Sequence, residues 1–429
     1  MRALNNTHYP YPGSDHKTMT GTWRIVKERN IIDTKGGDSA MKKGLLFGVC
    51  VLSVVMAFSP ALAKEPTIKI GINAPLTGDI PKVGEGTKFA AQLWLEDIKA
   101  AGGITVGKKK YPVELILEDN ESKAESAVKV ATKMITEDDV LVMVGPQASK
   151  QAVPAGGIAN NYKTPMITPW STNPDTTRNR PYVFRACFLD PFQGPVVANF
   201  ISKEFKFTKA AVLYDVASDY PKGLAEYFKK AWEGKHGKGS VVAYESFTTK
   251  DTDFSSQLTK IVNSGAQVLF TPQYYNEVAL IVQQARQLGW KKPIVGSDSW
   301  GSAETVKLCG KDCYGSFFST HYAAAGATGA TKAFIDRYKA KYGYVPDDVA
   351  ALTWDSMLLV QKGIQDTGGL TGDLRRDRDK VRAAMSRIKK FKGITGEMTF
   401  TGGGDPVKCA VIVKISNTGE FTFYQSVCP

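Results

Sequence analysis

The sequence predicts an α/β protein of two lobes, each a parallel sheet flanked by helices, and three observations lead there. From residue 67 onward, short apolar runs alternate with segments of helical spacing. After "RACFLDPFQG" (185–194) the alternation begins again as a second series of the same kind. Beyond about residue 320 it gives way to three long helical patterns and a terminal hairpin. A chain of 429 residues with 43% hydrophobic and 23% charged side chains is globular and too long for one core.

In the first series "TIKIGINAP" is a strand, and "GTKFAAQLWLEDIKAAGG" is a helix closed by a glycine pair. "YPVELILED" is the next strand, and "SKAESAVKVATKMI" a helix that Ser122 is placed to cap. "VLVMVGP" is a buried strand, a helix runs from about Ser149 to Tyr162, and the "PMI" of "TPMITPWST" is the last strand. The second series runs "KAAVLYD", "GLAEYFKKAWEG", "VVAYESF", "DFSSQLTKIVNSG", "QVLFTPQ", "YNEVALIVQQARQLGW" and "KPIVGSD". The late helices are "ATKAFIDRYKAKYG", "DDVAALTWDSMLLVQKGIQDTG" and "DKVRAAMSRIKKF".

The N-terminal end reads differently. Residues 1–40 are polar and without apolar period, an upstream extension rather than native structure. Met41-Lys42-Lys43, the apolar "GLLFGVCVLSVVMAF" and Ala61-Leu62-Ala63 then form a secretory signal peptide over residues 41–63, so the protein is expected to be exported from the cytoplasm. The apolar run is shorter than the roughly 20 residues of a membrane span. Of the chain's 55 basic and 42 acidic side chains, 47 and 38 lie beyond residue 63. No basic run there interleaves with aromatics, so nucleic acid is not expected as a partner.

Five cysteines follow the signal, in a compartment that permits disulfides. Cys409 and Cys428 sit symmetrically about the Asn417-Thr418-Gly419 turn, and Cys309 and Cys313 can close a tight loop. Cys187 is left over, buried and inert. Only His236 and His321 occur beyond the signal, too few for a metal site or for general acid–base work. No nucleophile elbow, H-E-x-x-H or complete phosphate loop occurs, so neither an enzyme nor a cofactor is expected.

What remains is positional. Ligands of open parallel sheets bind beyond the carboxyl ends of the strands. The first lobe carries "APLTG", "GPQAS" and "TPWST" there, with Ser149 opening a helix whose N-terminus suits a carboxylate. The second carries "YDVASDYPKG", "FTPQYYNE" and "VGSDSWG", which supply Tyr220, Tyr274, Tyr275 and the acid Asp298. One wall for a carboxylate and another for an ammonium describe an amino-acid clamp.

From about Thr67 to the end, "IKIGINAPLTG", "AGGITVGKK", "VGPQAS", "MITPWST" and "FLDPFQGP", in this order, resemble the periplasmic branched-chain amino-acid (Leu/Ile/Val-type) binding proteins of ABC transporters, in the type I periplasmic binding protein family. The resemblance implies two Rossmann-like lobes joined by a three-crossing hinge: residues 64–190 with 321–405, and 191–320 with 406–429. The crossings fall near Leu189-Asp190, Thr320-His321 and Gly404-Asp405. It also implies a monomer that takes an amino acid or related carboxylate and delivers it to membrane permease subunits.

Carried across residue by residue, Ser149 and Thr172 fall where hydroxyls hold the ligand's α-carboxylate and α-ammonium. Trp170 falls where a small residue contributes backbone contacts, with the adjacent Ser171 also counted among the ligand-binding residues, Tyr220 and Tyr274 stand on the closing lobe, and Asp298 pairs with the ammonium in place of the usual Glu. Val83 stands where an aromatic is usual. Trp170 gained and an aromatic lost at 83 reshape the side-chain end, making an aromatic ligand a candidate beside an aliphatic one. Structural alternatives stand beside these roles: Ser149 suits an N-cap, Thr172 a loop bond, Asp298 a cap of the segment at Ser299, and Tyr220 surface packing. Trp170 could plug the hinge side, and Tyr275 is expected to point away. The alternative functions are a ligand-sensing receptor domain of the same fold and a binder of an aromatic carboxylate.

Overall fold

In the computed structural model, residues 66–429 are described. The upstream extension and the signal peptide read from the sequence, residues 1–63, lie outside them. Two sheets organise the chain. The first is wholly parallel, in the spatial order Val113–Asp119, Ile68–Ala74, Val142–Val144, Met166–Thr168 and Val183–Arg185. Its central strands Ile68–Ala74 and Val142–Val144 are buried along almost every residue, as a strand covered by helices on both faces must be. The second sheet runs Phe421–Val427, Ala410–Ile415, Phe317–Thr320, Ile294–Gly296, Val268–Phe270, Ala210–Asp215 and Val241–Phe247. Five of these are parallel; the terminal hairpin joins antiparallel through Phe317–Thr320.

The chain crosses between the sheets three times: after Arg185, after Thr320 and before Ala410. After the second crossing, helix Asp348–Gln365 returns to pack on helix Pro81–Ala100 beside the first sheet. Trp94, buried in the latter, donates its indole N–H to Gln361 of the former at 3.0 Å. The second lobe buries Trp232 and Trp300 completely. Trp300 lies flat over Gly296, where an added Cβ would come within 2.2 Å of the indole, so strand and loop can close only over glycine.

Several boundaries differ from the sequence reading. The first helix begins at Pro81, five residues ahead of the start at Gly86 read from the sequence, and so takes in Gly84 as well as Gly86. Those glycines serve contact: an added Cβ at Gly84 would meet the Pro75 carbonyl at 2.2 Å, and one at Gly86 the Asp347 carboxylate at 3.0 Å. Ser122 does not cap the next helix, which starts at Ala124 behind Lys123. Ser122 lies one residue too early and in left-handed backbone (φ 58°), so its hydroxyl donates instead to the Thr77 carbonyl at 2.7 Å and accepts Ile80 N–H at 3.2 Å. A small antiparallel sheet of Phe391–Gly393, Gly396–Phe400 and Pro406–Val407 was not anticipated at all.

The structure joins Cys309 to Cys313 and Cys409 to Cys428, the latter one step beyond the Ala410–Val427 pair of the terminal hairpin. Cys187 is a free, buried thiol, pushed up to about 12 by burial.

Candidate functional site

In each sheet the order of strands reverses beside the first strand of its series: between Ile68–Ala74 and Val142–Val144, and between Ala210–Asp215 and Val268–Phe270. The loops leaving these carboxyl ends face one another across the two lobes. Ligand crevices form at such reversals.

The first wall is a network of hydroxyls. Ser149 opens helix Ser149–Asn161, but its side chain does not cap it. Its Oγ lies 2.8 Å from Ser171 Oγ, which lies 2.7 Å from Thr176 Oγ1. The loop is held in shape by Thr168, whose hydroxyl donates to the Pro146 carbonyl at 2.6 Å and accepts Ser171 N–H at 3.1 Å. Behind it, fully buried Arg185 donates to the carbonyls of Ser171 and Asn173 (3.0 Å), to Thr177 Oγ1 (2.7 Å) and to Asp405 Oδ1 (2.6 Å). Thr172 Oγ1 is buried with no partner among the described residues.

The opposite wall centres on Asp298, which is 1% exposed. Its Oδ1 lies 2.6 Å from the Tyr220 hydroxyl and accepts Gln193 Nε2–H at 2.7 Å, and its Oδ2 lies 3.2 Å from His321 Nε2. Burial holds His321 below its ordinary pKa, although Asp298 acts the other way, so the imidazole is a neutral donor at pH 7. Burial likewise pushes the Tyr220 and Tyr274 hydroxyls well up, keeping both protonated. Asp298 is therefore a buried carboxylate contacted by neutral donors only, an arrangement an ammonium group completes. The Tyr274 hydroxyl and Gln193 Oε1 are buried without partners among the described residues.

Between the walls lies a narrow chamber, drawn in too tightly to admit a free water, lined by Ala148, Ser149, Trp170, Tyr220, Tyr274 and Asp298. Tyr274 is the hub of its aromatic side, with ring centroids 5.8 Å from Trp170 and 5.4 Å from Tyr220. Direct bonds span the lobes around it: Asn173 Nδ2–H to the Asp219 carbonyl at 3.0 Å, and Lys82 N–H to the Tyr275 hydroxyl at 3.4 Å.

Five of the eight anticipated side chains thus meet at one chamber. Tyr220 is buried rather than surface packing, and Tyr275 turns from the chamber to reach the first helix. Ser171, Thr172 and Val83 do not line it. The Ser171 hydroxyl is taken up by Ser149 and Thr176, Thr172 sits in the loop with its carbonyl accepting Asp190 N–H at 3.0 Å, and Val83 packs into the core from the first helical turn. The sequence reading missed Gln193 and His321 as the companions of Asp298, and Asp348, whose Oδ2 accepts the Trp170 indole N–H at 3.1 Å. Gln193 stood within the quoted "FLDPFQGP", and His321 was one of two histidines; both signals were available.

Asp190, at the first crossing, carries a testable pH signature. Both its oxygens are buried without a well-formed hydrogen bond, and burial raises its carboxyl to about 8; the nearby Thr172 hydroxyl and Arg185 oppose the rise only in part, and Asp298 adds to it. The folded protein then keeps a proton that the unfolded chain releases above about pH 4. Stability from this group is full at low pH and is lost as pH rises from about 4 toward 8. Asp190→Asn should flatten that decline when unfolding free energies of the ligand-free protein are compared at pH 5 and pH 8. An unchanged slope would show that Asp190 does not hold the proton.

Among the described residues, no group of three or more His, Cys, Asp or Glu is arranged to hold a metal ion, and no helix is long and apolar enough to cross a membrane. A family model described as periplasmic binding protein matches residues 67–420. The chain is 30% identical over 372 residues to the leucine-, isoleucine-, valine-, threonine-, and alanine-binding protein of Pseudomonas aeruginosa, covering 85% of this chain and 94% of the relative. Among solved structures it is similar to the leucine-binding protein LivK of Thermotoga maritima (TM-score 0.77, 31% identity, 85% of this chain and 99% of that one). It is also similar to the branched-chain amino acid transporter substrate-binding protein LivJ of Streptococcus pneumoniae in complex with isoleucine (TM-score 0.77, 33% identity, 85% and 100%).

Proposed function

The chain belongs to the periplasmic binding protein family, of the LivJ/LivK type, and from that premise we propose that it is the extracytoplasmic solute-binding component of an ABC importer that captures an amino acid between its lobes. The observation that carries the reading is Asp298: a buried acid with three neutral donors, facing the Ser149 helix start across a small chamber. The helix N-terminus and the Ser149 hydroxyl receive the ligand's carboxylate. Asp298 receives its ammonium, and Trp170 and Tyr274 pack against what lies beyond.

The role is capture rather than turnover, by a monomer exported to the periplasm. In this reading residues 64–190 with 321–405 form one lobe and 191–320 with 406–429 the other. The lobes swing about crossings near Leu189-Asp190, Thr320-His321 and Gly404-Asp405, and membrane permease subunits recognise the closed form. The names of the relatives, which bind branched-chain and small amino acids, support the ligand class.

A thermal-shift panel of amino acids and of matched carboxylates without the ammonium tests the reading, on protein unfolded and refolded to strip carried-over ligand. A ligand at a hundred times its Kd adds about 2.7 kcal/mol to the folded state, a readily measured rise in Tm. Amino acids should shift the protein and the des-amino compounds should not. The reverse pattern would remove Asp298 from its role.

A further inference from the structure

Ala148 and Tyr274, which line the chamber, also border a second space of about 30 Å³, with room for roughly one or two waters. Like the chamber, this pocket is built where strands of both sheets end. Ser122 and Gln151 reach it from the first sheet's loops and helix starts, and Asp215, Ser218 and Glu277 from the second's. A chain of bonds joins its two sides: Lys150 Nζ donates to Thr249 Oγ1 at 3.5 Å, and the Thr249 hydroxyl donates to Asp215 Oδ2 at 2.5 Å.

The wall carries polar atoms that the protein leaves unused. Gln151 donates Nε2–H to the Ser122 carbonyl at 2.6 Å, while its Oε1 has no donor among the described residues. Ser218 stands at the N-cap of helix Asp219–His236 without capping it, and neither its hydroxyl nor that of Tyr274 beside it makes a well-formed hydrogen bond. All three side chains are more than nine-tenths buried. Buried polar groups are satisfied nearly everywhere in folded proteins, so an acceptor and two hydroxyls left over at one cavity point to a group that arrives with the ligand. The charges around them are mixed. Lys150 lines the pocket together with Asp215, whose oxygens already accept Ala217 N–H (2.8 Å) and the Thr249 hydroxyl, and Glu277, whose carboxyl burial raises to about 7. A cationic group would meet Lys150 and an anionic one the two acids. A neutral group that donates and accepts at once satisfies the unused atoms without adding charge.

We propose that this pocket is the side-chain subsite of the clamp and that it takes a carboxamide, so that the preferred ligands are asparagine and glutamine. The inference rests on the amino-acid reading above and deepens it by naming the side chain. With the ammonium on Asp298 and the carboxylate at Ser149, the side chain runs past Ala148 and the Tyr274 ring, the two residues common to both spaces. The carboxamide oxygen receives the Ser218 and Tyr274 hydroxyls, and its NH₂ group donates to Gln151 Oε1 and Glu277. Leucine and methionine match asparagine and glutamine in shape but leave those atoms buried and unpaired, the cost by which a hydrogen-bonding site rejects an apolar analogue.

The test is calorimetric titration of the wild type, Ser218→Ala and Gln151→Leu with alanine, asparagine, glutamine, leucine, methionine, glutamate and lysine. The wild type should bind glutamine or asparagine at least tenfold more tightly than the apolar and charged members. Ser218→Ala should weaken the carboxamides about fivefold and leave alanine, which does not reach the pocket, within twofold. Gln151→Leu should bring methionine level with glutamine or ahead of it, a change of order that damage to the fold alone would not produce. A wild type that binds leucine or methionine as tightly as the carboxamides overturns the subsite and leaves the amino-acid reading standing, and so does an order unchanged in both variants. If none of the seven binds, the amino-acid reading fails and the subsite falls with it. In a crystal structure with glutamine, the carboxamide within hydrogen-bond distance of Ser218 and Gln151 Oε1 supports the subsite, and water alone in the pocket overturns it.

Discussion

Asp298→Asn is expected to lower affinity for the cognate amino acid by about a hundredfold or more, in the range of about 2–5 kcal/mol that truncating one partner of a buried charged pair costs. The substitution preserves volume but not chemistry. The carboxylate takes Tyr220 and Gln193 on Oδ1 and His321 on Oδ2, which leaves one acceptor position directed to the ligand. An amide can supply a single accepting oxygen, and its NH₂ group must then face His321 or the ligand ammonium, where another donor already stands. The loss has a signature that separates it from damage to the fold. The ligand-free variant should unfold near the wild-type urea midpoint, while titration shows the weakened binding. Affinity within threefold of the wild type would mean that the ammonium is held elsewhere.

The second large effect concerns stability and lies behind the site. Arg185→Met should destabilise the protein by about 3–5 kcal/mol, the range for breaking a buried charged network from one side. The guanidinium is wholly buried and serves two loop carbonyls, a threonine hydroxyl and Asp405. Asp405 is 41% exposed and can turn to water, so most of the cost falls on the carbonyls of Ser171 and Asn173, left buried without donors. Urea denaturation of both proteins measures it. A loss under about 1 kcal/mol would show that the loop keeps its shape through Thr168 alone. Arg185 also ties the Trp170–Asn173 loop to the third crossing through Asp405, so the variant should lose ligand affinity beyond what reduced stability explains.

Much of this was legible in the sequence, for physical reasons. Helix and strand periods survive in a single chain wherever one face is buried: "VLVMVGP" is a continuous buried run, and "VVAYESF" buries Val241, Ala243 and Phe247 on one face. The strand-end rule brought Ser149, Tyr220, Tyr274 and Asp298 to one place because loops at the carboxyl ends of two facing sheets have nowhere else to meet. What stayed hidden depended on contacts made at long range. Asp348 lies 178 residues from Trp170, and nothing local distinguishes it from an ordinary acidic helix start. Gly84 was left outside the first helix because the close approach that requires it comes from the Pro75 carbonyl, in the loop before the helix. The small sheet after residue 390 has strands of two to five residues, too short to carry a period.

The bond from the Asn173 amide to the Asp219 carbonyl has a consequence for how tightly the site holds anything. It spans the lobes without touching the chamber, so its worth is not spent on recognition. It sets instead how often the ligand-free molecule already rests with its lobes together. Apparent affinity is the intrinsic affinity scaled by that resting fraction, and each 1.4 kcal/mol at the lip moves the fraction about tenfold while the open form predominates. Two proteins with the same chamber could therefore scavenge at quite different concentrations. The threshold at which this one begins to fill is written partly on its rim.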